Sequence, residues 1–426
     1  MFPVQRQLAV IVLSLAATPA IAATLTVNSL ADDTIVGDGL VTLREAIAAA
    51  TFDQQTDLGH NGAGADTIVI ALSGTIAPAS PLPAISTPIA IVGPGRDALT
   101  LTAASQPASA QRMFFVAGGE LHLEGLSLVG GIVRGGPGGT CQQRSGCGGG
   151  GAGLGAVVLV NHGALSIAGA VVRGGAVSGG DGGSRSLPAG NNGGGGGGGI
   201  GGVGGAPGAP TAESGGTGGS GAPLSSLIAP PGQTGAPGAG GGGGNQNLGS
   251  VVGGGGGFGG GGGGGGRIAG QNPAGGVGGF GGGGGGRGAT GAADGLGAAG
   301  GTFGGAGGPN SGVGNTGGGG GGAGGLGGCV FVRAGRLEVA DTRFENCLAV
   351  GGAAGSHFGG NPGQSGLGKG GALFLADGVD AILANVQFAG NDAGDSTGSS
   401  FVPGGPADTD DVFGIARRAM FASGFE

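Results

Sequence analysis

The residues of this chain that could do chemistry are few, and the acidic candidates among them lie between residues 377 and 411. Cleavage of an acidic polysaccharide, a reaction that many parallel β-helix proteins catalyse, would need such acids and several basic residues gathered along one groove. Because bases are scarce, solvated turn residues are the better interpretation, and we predict no catalytic residue. The acids are Asp377, Asp380, Asp392, Asp395 and the cluster Asp408–Asp411, and the bases are Arg333, Arg336, Arg343 and Lys369.

The segment Gly363–Gly370 nearly matches a phosphate-binding P-loop. That motif needs Ser or Thr after its lysine to reach Mg²⁺, but Gly370 follows Lys369 here. Calcium-binding glycine repeats need regularly spaced acids, and the four histidines stand isolated in the sequence. We therefore predict no cofactor-binding and no metal-ligating residue.

The four cysteines are expected to form disulfides. Cys141 and Cys147 are six residues apart in a glycine-rich loop, and Cys329 and Cys347 are 18 residues apart. None has the Cys-x-x-Cys spacing of zinc or redox sites, and an even number in an exported chain favours disulfides.

The N-terminus indicates export. Arg6 precedes an apolar run over residues 8–17, and an Ala-x-Ala site follows with cleavage expected after Ala22 or Ala23. The run is too short for a permanent membrane anchor, and we expect no transmembrane helix further along. Residues 1–23 are predicted to be a signal peptide, which places the mature chain outside the cell or at the outer membrane of a Gram-negative-type bacterium.

Composition narrows the class of partner. The 426 residues carry a net charge of −8, only 9% of them are charged, and Trp and Tyr are absent. Binding to nucleic acid needs clustered cations, so nucleic acid is excluded as a partner. A cell-surface or matrix polysaccharide or protein is the expected partner, and the sequence does not indicate an oligomeric state.

Glycine dominates the middle of the chain. Of the 124 glycines, 79 lie between Gly174 and Gly328. Glycine has no side chain to bury, so we expect this tract to be a long loop insertion and not a packed core. Polyproline-II rods would need a regular third-residue glycine spacing. The irregular spacing makes a glycine-rich matrix- or ice-binding scaffold an alternative only.

Short apolar segments separated by Gly or Pro turns predict strands in the N-terminal part. Thr42 and Glu45 predict a helix that begins at Leu43. The strands fit successive turns of a coiled parallel sheet or an antiparallel sandwich, and their spacing alone does not decide. They are expected over residues 24–28, 66–72, 88–92, 99–102, 113–116 and 121–123.

Residues 24–134 resemble the CSLREA domain of exported bacterial proteins. The likeness is carried by Val41-Thr-Leu-Arg-Glu-Ala46, Asp66-Thr-Ile68, Gly74-Thr-Ile76 and Gly93-Pro-Gly95, with Val41 where the family's name-giving motif has Cys. The resemblance implies a right-handed parallel β-helix whose N-terminal end is closed by the short helix. It also implies a structural capping role for Leu43, Arg44 and Glu45.

Residues 155–177, 328–350 and 371–391 share one pattern of three short strands in about 20 residues. We interpret each as one turn of the coil, which would place Cys329 and Cys347 on adjacent turns, within reach of a disulfide. The repeats resemble those of polymorphic outer membrane proteins. That resemblance implies that Asn346 and Asn391 lie at turns, where their amides stack along the coil.

The predicted fold class is therefore all-β: a right-handed parallel β-helix with a short N-terminal capping helix and a long Gly-rich loop insertion. Four glycine-rich segments follow the same point of the repeat, so we expect them to leave one corner of the coil. These segments are 135–154, 174–327, 351–370 and 392–405. The domains are a signal peptide (1–23), the CSLREA-like cap and first turns (24–134), a Gly/Cys loop and turn (135–173), the insertion (174–327), the C-terminal turns (328–405) and a tail (406–426).

The predicted function is that of an exported, non-enzymatic surface or secreted protein, acting in adhesion or as a structural surface component. Two alternatives stay open: a polysaccharide lyase or hydrolase, and the glycine-rich matrix- or ice-binding scaffold.

Overall fold

Almost all of the secondary structure is β in the computed structural model. The structure describes residues 22–103, 111–142, 144–185, 193–206, 215–245, 251–267, 271, 273–289, 295–311, 316–357, 361–398, 401 and 403–418. The predicted signal peptide lies outside these residues, apart from its last two positions.

One helix and 27 short strands are present in the described part of the chain. The helix is α1 (Leu43–Phe52). The strands, in chain order, are β1 (Thr24–Val27), β2 (Asp66–Ile70), β3 (Gly74–Ile76), β4 (Pro88–Val92), β5 (Leu99–Thr102), β6 (Phe114–Val116), β7 (Glu120–Glu124), β8 (Ser127–Val129), β9 (Ile132–Arg134), β10 (Gly153–Leu154), β11 (Val158–Val160), β12 (Ala164–Ala168), β13 (Val171–Arg173), β14 (Ala176–Ser178), β15 (Gly325–Leu326), β16 (Val330–Val332), β17 (Arg336–Ala340), β18 (Arg343–Glu345), β19 (Leu348–Val350), β20 (Gly368–Lys369), β21 (Leu373–Leu375), β22 (Asp380–Ala384), β23 (Gln387–Ala389), β24 (Asp392–Ala393), β25 (Pro406–Asp408), β26 (Val412–Ile415) and β27 (Arg417–Arg418).

Strands that follow one another in the chain belong to different sheets, except for β1 with β2 and β25 with β26. The longest sheet, which we call the main sheet, has the order β1-β2-β4-β7-β12-β17-β22-β27. Two six-stranded sheets have the orders β25-β26-β21-β16-β11-β6 and β23-β18-β13-β8-β5-β3, and two smaller ones have the orders β10-β15-β20 and β24-β19-β14-β9. Every pairing of these strands is parallel except that of β25 with β26. The chain thus returns to each sheet one strand further along, in a solenoid-like all-β fold.

One turn of this solenoid is about twice as long as the sequence pattern suggested. Glu120 pairs with Ala164, and Arg336 pairs with Asp380, each 44 residues later. The expected 20-residue turn is wrong for these later turns, because each also contains the glycine-rich segment after its last strand, whereas the turn from Asp66 to Ile89 has no such segment and takes 23 residues. Ala164 and Arg336 are paired as well, so the turns before and after the long tract are neighbours in one stack.

The solenoid core is a set of side-chain columns that run from turn to turn. The inward positions of the main sheet show the alternation expected of half-buried strands. One column crosses seven strands and is at most 4% exposed: Leu25, Ile68, Ile91, Leu123, Ile167, Val339 and Leu383.

At the corner that follows the main sheet, residues with a left-handed backbone conformation stack from turn to turn. Gly125, Gly169, Asp341 and Asn385 have φ values of 63°, 56°, 49° and 49°. Glycine, Asn and Asp tolerate this region best. The Asn385 amide donates to Asp341 Oδ1 at 2.7 Å, which joins adjacent turns by a side-chain hydrogen bond.

The amide stack expected between Asn346 and Asn391 is not formed. Asn346 has a φ of 53° and lies next to Gly390 of the following turn, whereas Asn391 lies next to Cys347. The two asparagines therefore occupy neighbouring and not equivalent positions. Asn391 still links turns: its Oδ1 accepts from Cys347 N at 3.0 Å, and its Nδ2 donates to Asp411 at 2.9 Å.

Both predicted disulfides are present. Cys141 is joined to Cys147, and Cys329 is joined to Cys347. The expectation that Cys329 and Cys347 lie on adjacent turns is wrong, because 18 residues cover less than half of a 44-residue turn. This disulfide instead joins two points of one turn, where both cysteines are buried in the solenoid core.

Helix α1 begins as the sequence predicts. Thr42 is the N-cap, its hydroxyl accepts from Glu45 N, and the Glu45 carboxylate accepts from Thr42 N in a capping box. Arg44 forms a bidentate pair with Asp32 at 2.8 and 2.9 Å, while Leu43 is buried. The helix packs on β1, the first strand of the main sheet, and also contacts β2 and β4.

Candidate binding surfaces

The described glycines of the long tract are packed and not looped out. Residues 193–200, 240–244, 259–266 and 281–286 are buried throughout. The expectation that this tract cannot form a packed core is wrong, because the backbone itself is what is packed. Its amides and carbonyls pair between segments, for example Gly197 N with Gly241 O at 2.8 Å and Gly261 N with Gly198 O at 2.8 Å.

The packed segments are rods with a repeat of three residues, which is the repeat of the polyproline-II helix. Each inner rod turns three faces towards different neighbours, so a Cβ on any of these faces would meet backbone. In the rod 194–199, Gly194 and Gly197 face Gly264 and Gly261; Gly195 and Gly198 face Gly139 and Gly136; and Gly196 and Gly199 face Thr217 and Ser220. We call the assembly of these rods the glycine bundle.

The glycine bundle also takes in the shorter glycine-rich segments of the solenoid. Gly198 N donates to Gly149 O at 2.7 Å, and Gly180 N donates to Gly151 O at 2.8 Å. Gly355 N donates to Gly320 O at 2.8 Å. Glycine-rich segments therefore meet on one side of the solenoid, whether they come from before the tract, from the tract or from after it. Insertions that leave one corner of the coil would be expected to meet in this way.

Aromatic side chains join the glycine bundle to the solenoid. One column of outward side chains, which we call the aromatic column, crosses β6, β11, β16, β21 and β26. It consists of Phe115, Leu159, Phe331, Phe374 and Phe413. Phe258, Phe280 and Phe303, from turns between rods, pack on this column, with ring centroids 5.0 Å apart for Phe303 and Phe413 and 6.1 Å apart for Phe280 and Phe374. The contact forms a second apolar core, separate from the core inside the solenoid.

The outermost layer of the glycine bundle is an uncharged surface, which we call the outer face. It consists of four adjacent rods, 232–237, 253–257, 275–279 and 297–301, joined by bonds such as Gly256 N to Val277 O at 2.8 Å. Their sequences contain no charged residue. The exposed side chains on and beside the rods are uncharged and, apart from Gln233, small or apolar: Thr234, Val252, Ala274, Val277, Leu296 and Ala299.

A second surface is a cleft of about 640 Å³ on the outward side of the main sheet. Its floor includes Ala164 and Ser166, between the His122 turn on one side and the Glu338 turn on the other. Two of the titratable residues of this cleft have partners within their own turns: His122 lies 3.1 Å from Glu124, and Arg336 contacts Glu338. Glu120 and Asp66 also line the cleft, and Asp66 accepts from the backbone amides of Ala23 and Ala63.

The acidic residues singled out as catalytic alternatives mostly hold the C-terminal turns together. Asp380, on β22 of the main sheet, pairs with Arg417. Asp392 lies on β24, which belongs to the sheet β24-β19-β14-β9. Asp410 accepts from Ser396, while the Asp411 carboxylate accepts from Asn391. Burial raises the pKa of Asp411.

The lysine of the P-loop-like segment is an ion-pair partner. Lys369 Nζ donates to both carboxylate oxygens of Asp408, at 3.0 and 2.8 Å, and to the carbonyl oxygen of Asp395. The Lys369 side chain is 8% exposed. This contact ties the β25–β26 hairpin to β20, which gives the lysine a structural role.

No group of three or more metal-ligating side chains occurs among the described residues. Within the same residues, no helix has the length and apolar character needed to cross a membrane. No family model, curated protein or solved structure matches the chain.

Proposed function

We propose that this chain is an exported, non-enzymatic protein that acts at or outside the cell surface, in adhesion or as a structural surface component. The observation that carries the proposal is the outer face. Most proteins cover large surfaces with charged side chains, and contiguous exposed apolar areas mark interaction sites. Here a packed backbone presents Val277 and Leu296 at 58% and 82% exposure, with no charge along the four rods.

The proposed scaffold is a right-handed parallel β-helix with α1 as its N-terminal cap. Parallel strands joined by crossovers are right-handed in nearly all proteins, and the contacts of Leu43, Arg44 and Glu45 suit an end cap. Two disulfides support the exported location, since disulfides persist in oxidising compartments. Cell fractionation is expected to place the mature chain, beginning near Ala23, outside the cytoplasm.

The adhesive role is tested with charges on the outer face. Beads that carry the mature protein are passed over cellulose, chitin and protein-coated surfaces under flow. We expect retention on at least one surface and, for the double variant Val277→Glu/Leu296→Glu, a loss of about tenfold or more. Burial of one such side chain contributes about 1.5–3 kcal/mol, and 1.4 kcal/mol is a factor of ten.

The matched control is Val36→Glu, a charge at a residue 90% exposed in the N-terminal loop, far from the glycine bundle in sequence. It should leave retention unchanged. Retention that is equal in the wild type and the double variant, or absent on every surface, would contradict adhesion through the outer face.

A matrix- or ice-binding scaffold is the second candidate, and one observation favours it. Side-by-side rods with a three-residue repeat place exposed side chains at intervals of about 9 Å along each rod, as at Ala274 and Val277. Inhibition of ice recrystallisation by the wild type, lost in Val277→Glu/Leu296→Glu, would support this candidate over adhesion.

A further inference from the structure

The junction between the solenoid and the glycine bundle contains a cavity that neither the proposed adhesion nor the fold accounts for. Its volume is about 330 Å³, at the lower end of the range for small-ligand sites. The walls come from both parts of the molecule: Leu82, Met113 and Val133 from the solenoid, and Ile200 and Pro223 from the tract. It lies beside Phe115, the first residue of the aromatic column.

Among the residues that the structure describes, two arginines are the only charged ones that line this cavity. Arg112 donates from Nε to Gly155 O at 2.8 Å and from Nη2 to Leu154 O at 2.5 Å, so backbone carbonyls fix its guanidinium. Arg134 stands at the exposed end of β9. Within the described part of the chain no carboxylate lines the cavity, and neither arginine forms an ion pair there.

A cation in apolar surroundings without a counter-ion is costly, since burial disfavours the charged form. Burial lowers the pKa of Arg112 to about 10. The Arg112 Nη1 group makes no hydrogen bond to the described residues, so one side of the fixed guanidinium is left for the cavity. An anion there would be held by a charge-assisted hydrogen bond and would offset the partly buried charge of Arg112.

The geometry points to a single-chain amphiphile with a carboxylate head as the ligand of this cavity. The head would lie against Arg112 and Arg134, and the apolar chain would lie among Leu82, Met113, Val133 and Ile200. The small volume favours a medium-length chain of about ten carbons over a two-chain lipid. This ligand is independent of the partner proposed for the outer face.

Isothermal titration of the full mature protein with decanoate, below its micelle concentration, tests the assignment. We expect saturable binding of one decanoate per chain, with decanol binding at least tenfold more weakly because it lacks the charge. Arg134→Gln, at an exposed residue that can be replaced without loss of packing, should weaken decanoate about tenfold and leave decanol unchanged. Ala222→Phe, which fills the cavity from an exposed position, should remove both.

Several results would overturn the proposal. These are no saturable decanoate binding to folded wild type, equal affinity for decanol, or unchanged affinity in both variants. Titration with decyl phosphate identifies the head group. If decyl phosphate bound tenfold more tightly than decanoate, the carboxylate assignment would be overturned. Circular dichroism of Arg134→Gln and Ala222→Phe confirms that the variants are folded.

Discussion

Gly197→Ala is expected to lower the free energy of unfolding by about 3 kcal/mol or more. A Cβ on Gly197 would lie 2.0 Å from the carbonyl oxygen of Gly261, on the facing rod. The clash is with backbone and not with a side chain that could rotate away, so the rods must separate. Overpacking of a well-packed interior costs about 1–3 kcal/mol, and more where relaxation is blocked. Urea unfolding followed by far-UV circular dichroism measures the change.

Gly255→Ala is the matched control in the same tract. The nearest atom to a Cβ on Gly255 is Val277 Cγ2 at 3.6 Å, an ordinary van der Waals contact. Alanine there should be neutral or stabilise the protein by about 0.4–1 kcal/mol, because it restricts the unfolded chain. Equal stability of Gly197→Ala and Gly255→Ala would contradict the close packing of the rods.

Phe374→Ala is expected to cost about 3–5 kcal/mol, the range for removing a buried aromatic side chain. Phe374 is 1% exposed and stacks between Phe331 and Phe413, with centroids 5.0 and 4.8 Å away. Phe303, from the glycine bundle, packs edge-on against it at 5.3 Å. The substitution therefore removes contacts on both sides of the junction, and limited proteolysis should cut the tract faster.

Two further variants provide reference values for the loss of stability expected of Phe374→Ala. Phe374→Leu, which keeps most of the volume, should recover the greater part of the loss. Phe52→Ala, at a helix end where the side chain is 63% exposed, should stay within about 0.5 kcal/mol of the wild type. If Phe374→Ala and Phe52→Ala unfold at the same urea concentration, the aromatic column does not hold the glycine bundle to the solenoid.

The solenoid was largely predictable because its signals are side-chain signals. Thr42 and Glu45 mark the helix start by hydrogen-bonding capacity alone, and Leu121 and Leu123 mark an inward face by alternation. The length of the later turns was not predictable, because the three strands span only about 20 residues while such a turn closes only after the glycine-rich segment that follows them. The predicted disulfide between Cys329 and Cys347 is present, but it joins two points of one turn and not adjacent turns.

The glycine bundle was missed because hydrophobic reasoning counts side chains, and the bundle buries backbone. Buried amides and carbonyls must be paired, and the rods pair them with one another, which offsets the large conformational entropy that glycine loses on folding. The sequence did contain a usable signal: Phe258, Phe280 and Phe303 recur after 22 and 23 residues. Each lies where one rod ends and the next begins, so the turns hide the three-residue period of the rods.

The cavity arginines were missed for a different reason. Arg112 and Arg134 are ordinary in sequence, and only the fold brings them to one apolar space with Ile200 and Pro223 of the tract. Neither arginine has a neighbour in sequence that suggests an anion site. A charged residue without a partner is a property of the assembled structure, which local patterns do not contain.

Hydrogen–deuterium exchange of the glycine tract tests most directly the central claim, that the tract is a packed bundle and not a loop. Peptides from residues 240–244, 259–266 and 281–288 should exchange orders of magnitude more slowly than an unfolded chain, since their amides are buried and bonded to neighbouring rods. Protection comparable to that of the main-sheet strands is the predicted result. Exchange of these peptides at the rate of an unstructured chain, with the strands still protected, would contradict the account.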